Sequence, residues 1–185
     1  MSPNQEPEIF GARNNRVTFP ENYDHKAQQQ VAAARKELYE NCDKALPALV
    51  EVLDDKRYCM TIRPVDGDNF YNHSVGQIVR QVIAANLEVY RSHLRFSKPR
   101  WNKYTFPVSK EWGQLHKSLP LEKLQVEAID WAIGMVKTEI KEAGETQQAE
   151  LTKELIALEK LRNEISQSGK PVKRGNMFPM VTKDR

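Results

Sequence analysis

The stretch that decides the fold covers residues 74–95 and reads SVGQIVRQVIAANLEVYRSHLR. Its apolar residues return every three or four positions, which is the period of one face of an α-helix. Ser74 and Gln77 have the types and the spacing of a capping box, in which the serine hydroxyl accepts from the backbone of residue 77 and the glutamine side chain reaches back. The pattern predicts a helix over 74–95.

Upstream of this stretch, apolar residues recur at the same helical spacing after Asp24, which is a favourable N-cap residue. Pro47 interrupts the pattern, because proline lacks a backbone donor and clashes with the preceding turn. The sequence therefore predicts either one kinked helix or two helices of about 24–45 and 47–54.

Downstream, a short helix is predicted over 109–117. Pro120 is well placed to begin a longer helix, and Gly144 is predicted to end it in a left-handed conformation. A last helix is predicted over 147–167, and the short connection at Gly144 makes the last two helices an antiparallel hairpin.

Residues 57–63 alternate weakly between apolar and polar side chains, as a strand would. No second strand is evident to pair with them, and a lone strand is unstable. They are predicted to form an extended connection, followed by a loop over 64–72 that is rich in turn residues.

Each of the four long helical segments has a single apolar stripe, which has to be buried against a partner. The predicted fold class is therefore all-α: a four-helix bundle with an extended N-terminal arm, a C-terminal helical hairpin and a basic tail. The predicted organisation is an arm over 1–23, the bundle over 24–168 and the tail over 169–185.

Composition favours a soluble protein. The chain has 185 residues, of which 39% are hydrophobic and 29% charged, with a formal net charge of +3, which excludes a strongly basic global field. Cys42 and Cys59 are too few for a disulfide framework, so both are expected to be reduced, as in the cytoplasm. No run of about eighteen apolar residues predicts a membrane span, and the polar start over 1–8 does not resemble a secretory signal.

One part of the chain resembles the DinB-like four-helix bundles. LDDKRY at 53–58 followed by SVGQIVRQV at 74–82 carries the resemblance, which extends over residues 45–95. It implies a helical bundle and, for the family, a metal held by histidines. Ile78 and Gln81 stand where the family has histidine, and the last helix contains none. The resemblance therefore implies the fold without the family's metal site.

Two constellations suggest chemistry, each with a simpler alternative. Asp66, Asp68 and His73 offer metal-ligating atoms, but Phe70 breaks the alternation of a calcium loop, so a polar turn is the preferred interpretation. Cys59 precedes His73 by fourteen residues and would need an activating base to react; the alternative is a small buried apolar residue. We predict no metal and no cofactor, and we lean against an enzyme.

The segment from Val89 to Lys110 contains six basic residues and no acidic one, interleaved with aromatic residues. Cations neutralise phosphates and aromatic faces stack on unpaired bases. The candidate binding residues are Arg91, Arg95, Phe96, Lys98, Arg100, Trp101, Lys103 and Tyr104. The alternative is that the aromatic residues plug the end of the bundle while the cations stay in solvent.

Trp131 and Ile133 fall off the main apolar stripe of their helix. This position is typical either of a partner surface or of a helix that is buried on two sides.

The favoured function is that of a non-catalytic binding or assembly protein, which acts through contacts with a protein partner or with itself and belongs to an oligomer or a larger complex. One alternative is nucleic-acid or nucleotide binding through residues 91–104. The other is a degenerate DinB-like metal-dependent enzyme with ligands from Asp66, Asp68 and His73.

Overall fold

The structure is a computed structural model that describes residues 7–10, 16–65, 69–92 and 104–173. These residues are mostly helical, which confirms the predicted predominance of α-helix. They form two compact units, and the division lies inside one helix, between Val82 and Ile83.

The first unit begins its helices with α1 (His25–Glu40) and α2 (Cys42–Glu51). The Asp24 side chain accepts from the backbone of Ala27 at 2.8 Å, so the predicted N-cap is confirmed. Two helices form, but they meet at Asn41 rather than at Pro47, which lies inside α2. Asn41 ends α1 because both its backbone N–H and its side-chain amide donate to the Glu37 carbonyl.

Strands β1 (Glu8–Phe10) and β2 (Arg16–Thr18) pair antiparallel inside the predicted arm. The carbonyl of Pro7, which is buried, accepts a 2.9 Å hydrogen bond from the Asn72 side chain. The described part of the arm is therefore attached to the first unit.

The predicted lone extended segment is one half of a hairpin. Strand β3 (Tyr58–Val65) pairs antiparallel with β4 (Asn69–Ser74), so the prediction of an unpaired connection and a loop over 64–72 was wrong. The missed signal is Asp66–Gly67, since this dipeptide between two alternating runs is a strong hairpin signal. Residues 66–68 themselves lie outside the described residues.

Helix α3 (Val75–Leu87) follows β4 directly. Its capping box is confirmed: the Ser74 backbone donates to Gln77 Oε1 at 2.8 Å, and the Gln77 backbone donates to Ser74 Oγ at 3.2 Å. The predicted end at residue 95 was wrong, because α3 stops at Leu87 and a 3₁₀ turn covers Val89–Ser92.

The second unit contains the last residues of α3, then α4 (Lys110–His116), α5 (Leu121–Glu142) and α6 (Glu145–Ser168). Helices α5 and α6 pack along each other, as the predicted hairpin requires. Gly144 is extended, with φ −73°, so the predicted left-handed ending was wrong. Gly169 ends α6 with φ +62°, a conformation that glycine adopts without steric cost.

Two ion pairs join the antiparallel helices α5 and α6 of the hairpin. Arg162 pairs with Asp130 at 2.6 Å, and Lys137 pairs with Glu159 at 3.4 Å. All four side chains are well exposed, so each pair contributes at most about 1 kcal/mol. Burial of the apolar stripes is therefore the larger stabilising term.

Gln125 ties the end of the described chain to α5. Its fully buried side chain donates to the Val172 carbonyl at 2.8 Å and accepts from the Val172 backbone N–H at 2.9 Å, as a neighbouring strand would. A third bond, at 2.7 Å, goes to the carbonyl of Asn86. The tail is thus fixed up to Lys173, and residues 174–185 lie outside the described residues.

The two residues off the α5 stripe are not fully exposed. Ile133 is buried, and the half-buried Trp131 ring meets Phe106 edge-on at 5.8 Å. This agrees with the interpretation of a helix buried on two sides. No helix in the described part of the chain combines the length and the apolar character of a membrane span.

Candidate functional site

The described residues on the two sides of the segment 93–103 are joined by hydrogen bonds into a braced stem. On one side of the segment, Tyr90 is fully buried and donates to the carbonyl of Tyr104 on the other side, at 2.9 Å. Burial raises the pKa of Tyr90, so the phenol stays protonated. Glu88 is also buried and accepts from the Phe106 backbone at 2.7 Å. Buried hydrogen bonds of this kind hold both ends in one geometry.

Arg91 completes the stem instead of facing a ligand. It pairs with Glu88 at 2.6 Å and donates to Thr105 Oγ1 at 2.7 Å, and only a fifth of its side chain is exposed. Tyr104 is fully buried. Its ring is therefore not exposed for stacking in this structure. The other six candidates, Arg95, Phe96, Lys98, Arg100, Trp101 and Lys103, lie outside the described residues.

An acidic surface lies at the turn between α5 and α6. Residues 142–150 contain three glutamates and no basic residue, and all three glutamates, Glu142, Glu145 and Glu150, are exposed. Residues 93–103 contain four cations and no acid. Along the sequence, the second unit therefore has a run of cations at 93–103 and a group of exposed glutamates at 142–150, with the exposed Lys141 directly before them.

The first unit contains a pocket that the sequence did not predict. It has a volume of about 320 Å³, it opens to solvent, and it is lined by Lys56, Tyr58, Asn72, His73, Ser74 and Gln77. These residues converge because β3 pairs with β4 and α3 begins where β4 ends. Pockets of a few hundred Å³ are typical of small-molecule sites.

A bulge in β3 adjoins the pocket. The register places Tyr58 opposite Ser74 and Ile62 opposite Asn72, so β3 has two more residues than β4 between these pairs. Met60, inside the bulge, has φ +56°, which side-chain-bearing residues rarely adopt. Strained backbone and bulges are enriched at functional sites, so this pocket is a candidate functional site.

A buried polar network supports the inner end of the pocket. Arg35 is buried and donates to Gln81 Oε1 at 3.1 Å, and Gln81 Nε2 lies 3.4 Å from His73 Nδ1. Because the Gln81 oxygen faces Arg35, its amide NH₂ must face His73. In this orientation His73 Nδ1 accepts the hydrogen bond.

The chain was compared with family models, curated proteins and solved structures. None of these comparisons finds a match. The assignment of a site therefore depends on the geometry of this chain alone.

The structure describes the cysteine constellation of the sequence, but only one residue of its metal constellation, His73. Cys59 is adjacent to His73 across the hairpin, but its thiol lies 3.2 Å from the His73 backbone carbonyl. A backbone carbonyl oxygen accepts a hydrogen bond, but it is too weak a base to remove the proton of the thiol. This contact therefore does not activate the thiol. Among the described residues, no three histidine, cysteine or acidic side chains form a metal-binding group. Asp66 and Asp68 lie outside them.

Proposed function

We propose that this chain is a non-catalytic assembly protein that associates with itself through opposite charges. The basic segment 93–103 of one copy binds the acidic turn 142–150 of the next. Such a contact joins two different surfaces, so it is heterologous and generates rings or filaments.

The separation of charge within the second unit carries this proposal. The formal charge of residues 93–103 is +4, whereas residues 142–150 carry three exposed glutamates. Opposed patches of this kind accelerate encounter and set orientation. The braced stem adds support, because a segment fixed at both ends loses less entropy on binding than a free one. The modest net charge of +3 favours a protein partner over a polyanion.

Sedimentation velocity over a concentration series tests the proposal. The chain should associate at about 50 mM NaCl and dissociate at about 500 mM, where the Debye length is only a few ångströms. A triple change of Arg95, Lys98 and Arg100 to Glu should abolish association. A matched change of Lys26, Lys44 and Lys123 to Glu should not, because these exposed lysines lie in first helical turns that accommodate acids well. A single monomeric species at low salt contradicts the proposal.

Nucleic-acid binding is the second candidate, favoured by the alternation of cations with Phe96 and Trp101 inside the segment. Fluorescence anisotropy with a labelled single-stranded oligonucleotide discriminates the two. Nucleic-acid binding predicts saturable binding that weakens steeply with salt and with Trp101→Ala. Trp101→Ala should leave the helix content unchanged if the ring contacts a ligand.

We also propose that the long helices form the four-helix bundle that the sequence predicts, with the region 24–168 as its extent. The packing of α5 along α6 supports this arrangement. Limited proteolysis should leave a resistant fragment that retains residues 24–168 without internal cleavage.

A further inference from the structure

The pocket in the first unit is lined by an ammonium group and two neutral hydrogen-bond donors, and we infer that it binds a small oxyanion bearing carboxylate or phosphate oxygens. This inference is independent of the proposed self-association, because it concerns the other unit and other residues.

The capping box leaves two donors unused. Ser74 Oγ and Gln77 Oε1 each accept from a backbone N–H group, which occupies one of the two acceptor sites on each oxygen. The hydroxyl hydrogen of Ser74 and the NH₂ group of Gln77 take no part in the capping box, and both are donors. Within the described part of the chain, these two groups make no other hydrogen bond.

The backbone of the helix start is not itself the site. The N–H groups of Ser74 and Gln77 bond to the capping side chains, and those of Val75 and Gly76 bond to carbonyls of the segment 55–57 at 2.8 Å. A ligand in the pocket therefore meets side-chain donors.

Lys56 supplies the charge. Of the described residues that line the pocket, it is the one with a permanent charge. The acidic residues beside it are compensated: Asp54 pairs with Arg80 at 3.0 Å, and Asp55 pairs with Arg57. The Arg57 side chain lowers the pKa of Asp55 to about 2, so this carboxylate stays ionised and paired at neutral pH. An ammonium with two neutral donors, and with no carboxylate among the described lining residues, favours an anion.

The inner end of the pocket is connected to a buried arginine. Arg35 donates to Gln81, which contacts His73 in the lining of the pocket. A volume of about 320 Å³ accommodates roughly ten water-sized groups, so the ligand is a small molecule.

The test is a titration of ¹⁵N-labelled full-length chain followed by ¹H–¹⁵N correlation spectra, at ionic strength fixed with NaCl. The probes are inorganic phosphate and succinate, with glycerol as an uncharged control of similar size. Saturable shifts of the Gln77 side-chain NH₂ and of the Gly76 amide are expected with at least one anion. Which anion binds more tightly distinguishes phosphate from carboxylate ligands.

Gln77→Glu is the sharpest variant, because glutamate can still accept from the Ser74 backbone and preserve the capping box. It replaces the NH₂ donor with a negative oxygen, so binding should fall by about tenfold or more while the melting temperature stays unchanged. Lys56→Gln should weaken binding similarly, and Lys44→Gln, on α2, should not.

Three results overturn the inference. They are glycerol shifts as large as those of the anions, shifts that NaCl alone reproduces, and wild-type affinity in both the Gln77→Glu and Lys56→Gln variants.

Discussion

Gly76→Ala tests how the first turn of α3 packs against the segment before the pocket. A Cβ atom at position 76 would lie 2.3 Å from the Leu53 carbonyl oxygen, 3.0 Å from its carbon and 3.1 Å from the Asp55 oxygen. All three are backbone atoms, so no side chain can rotate away. The helix or the turn has to move by about 0.7 Å to bring the closest contact to 3.0 Å.

This movement pulls on two backbone hydrogen bonds. The N–H groups of Val75 and Gly76 donate to the carbonyls of Arg57 and Asp55, each at 2.8 Å. Overpacking costs about 1–3 kcal/mol, and each weakened bond adds about 0.5–1.5 kcal/mol. The higher helix propensity of alanine offsets about 1 kcal/mol of this loss in the free energy of unfolding. The net destabilisation should be about 3 kcal/mol.

Urea unfolding followed by far-ultraviolet circular dichroism measures this cost. Gly134→Ala is the matched control, because Gly134 is exposed inside α5 and an added Cβ meets nothing within 4 Å. That variant should gain about 0.5–1 kcal/mol. The reasoning is refuted if Gly76→Ala is as stable as the wild type while Gly134→Ala behaves as expected.

Three further predictions concern single groups. Gln125→Leu should lower the free energy of unfolding by about 2–4 kcal/mol, because it leaves backbone groups such as those of Val172 unpaired. Hydrogen exchange at the Val172 amide should accelerate, and unchanged protection there would contradict the role of the two Gln125–Val172 hydrogen bonds. Burial raises the pKa of Cys42 from 9.0 to about 12, so its stabilising contribution is complete below pH 9 and is lost as pH rises toward 12. The stability difference between wild type and Cys42→Ala should therefore shrink by about 2 kcal/mol from pH 8 to pH 10.5, and a constant difference argues against it. Arg57→Ala should return the pKa of Asp55 from about 2 toward 3.8 in a carboxyl NMR titration, and an unchanged pKa would show that Arg57 is not the cause of the shift. In the wild type, the paired carboxylate stabilises the fold above its unfolded pKa, and this contribution is lost as pH falls through about 2.

Features set by neighbouring residues were predictable from the sequence. The capping box at Ser74 and Gln77 and the N-cap at Asp24 formed with the predicted bonds, because each involves residues three positions apart. The final α-helical hairpin also follows from a local period and a short turn.

Features set by distant residues were not predictable. Helix α3 ends at Leu87, and the next residue, Glu88, is buried and accepts from the Phe106 backbone eighteen residues away, a bond that no local pattern predicts. The same holds for Tyr104, whose aromatic character suggested a binding surface and whose position is buried.

The pocket was only partly predictable from the sequence. Its capping residues were identified for a structural role, but their proximity to Lys56 requires the pairing of β3 with β4. The Asp66–Gly67 dipeptide is a sequence signal for that pairing, but the region was interpreted as a polar loop and the hairpin was not predicted.

The most direct test of the central claim is sedimentation of two charge-reversed variants, alone and mixed. One variant changes Glu142, Glu145 and Glu150 to Lys, and the other changes Arg95, Lys98 and Arg100 to Glu. Each alone presents like charges at the proposed contact and should be monomeric, whereas an equimolar mixture restores opposite charges and should associate at about 50 mM NaCl. Association of either variant alone, or a mixture that stays monomeric, contradicts self-assembly through these two surfaces.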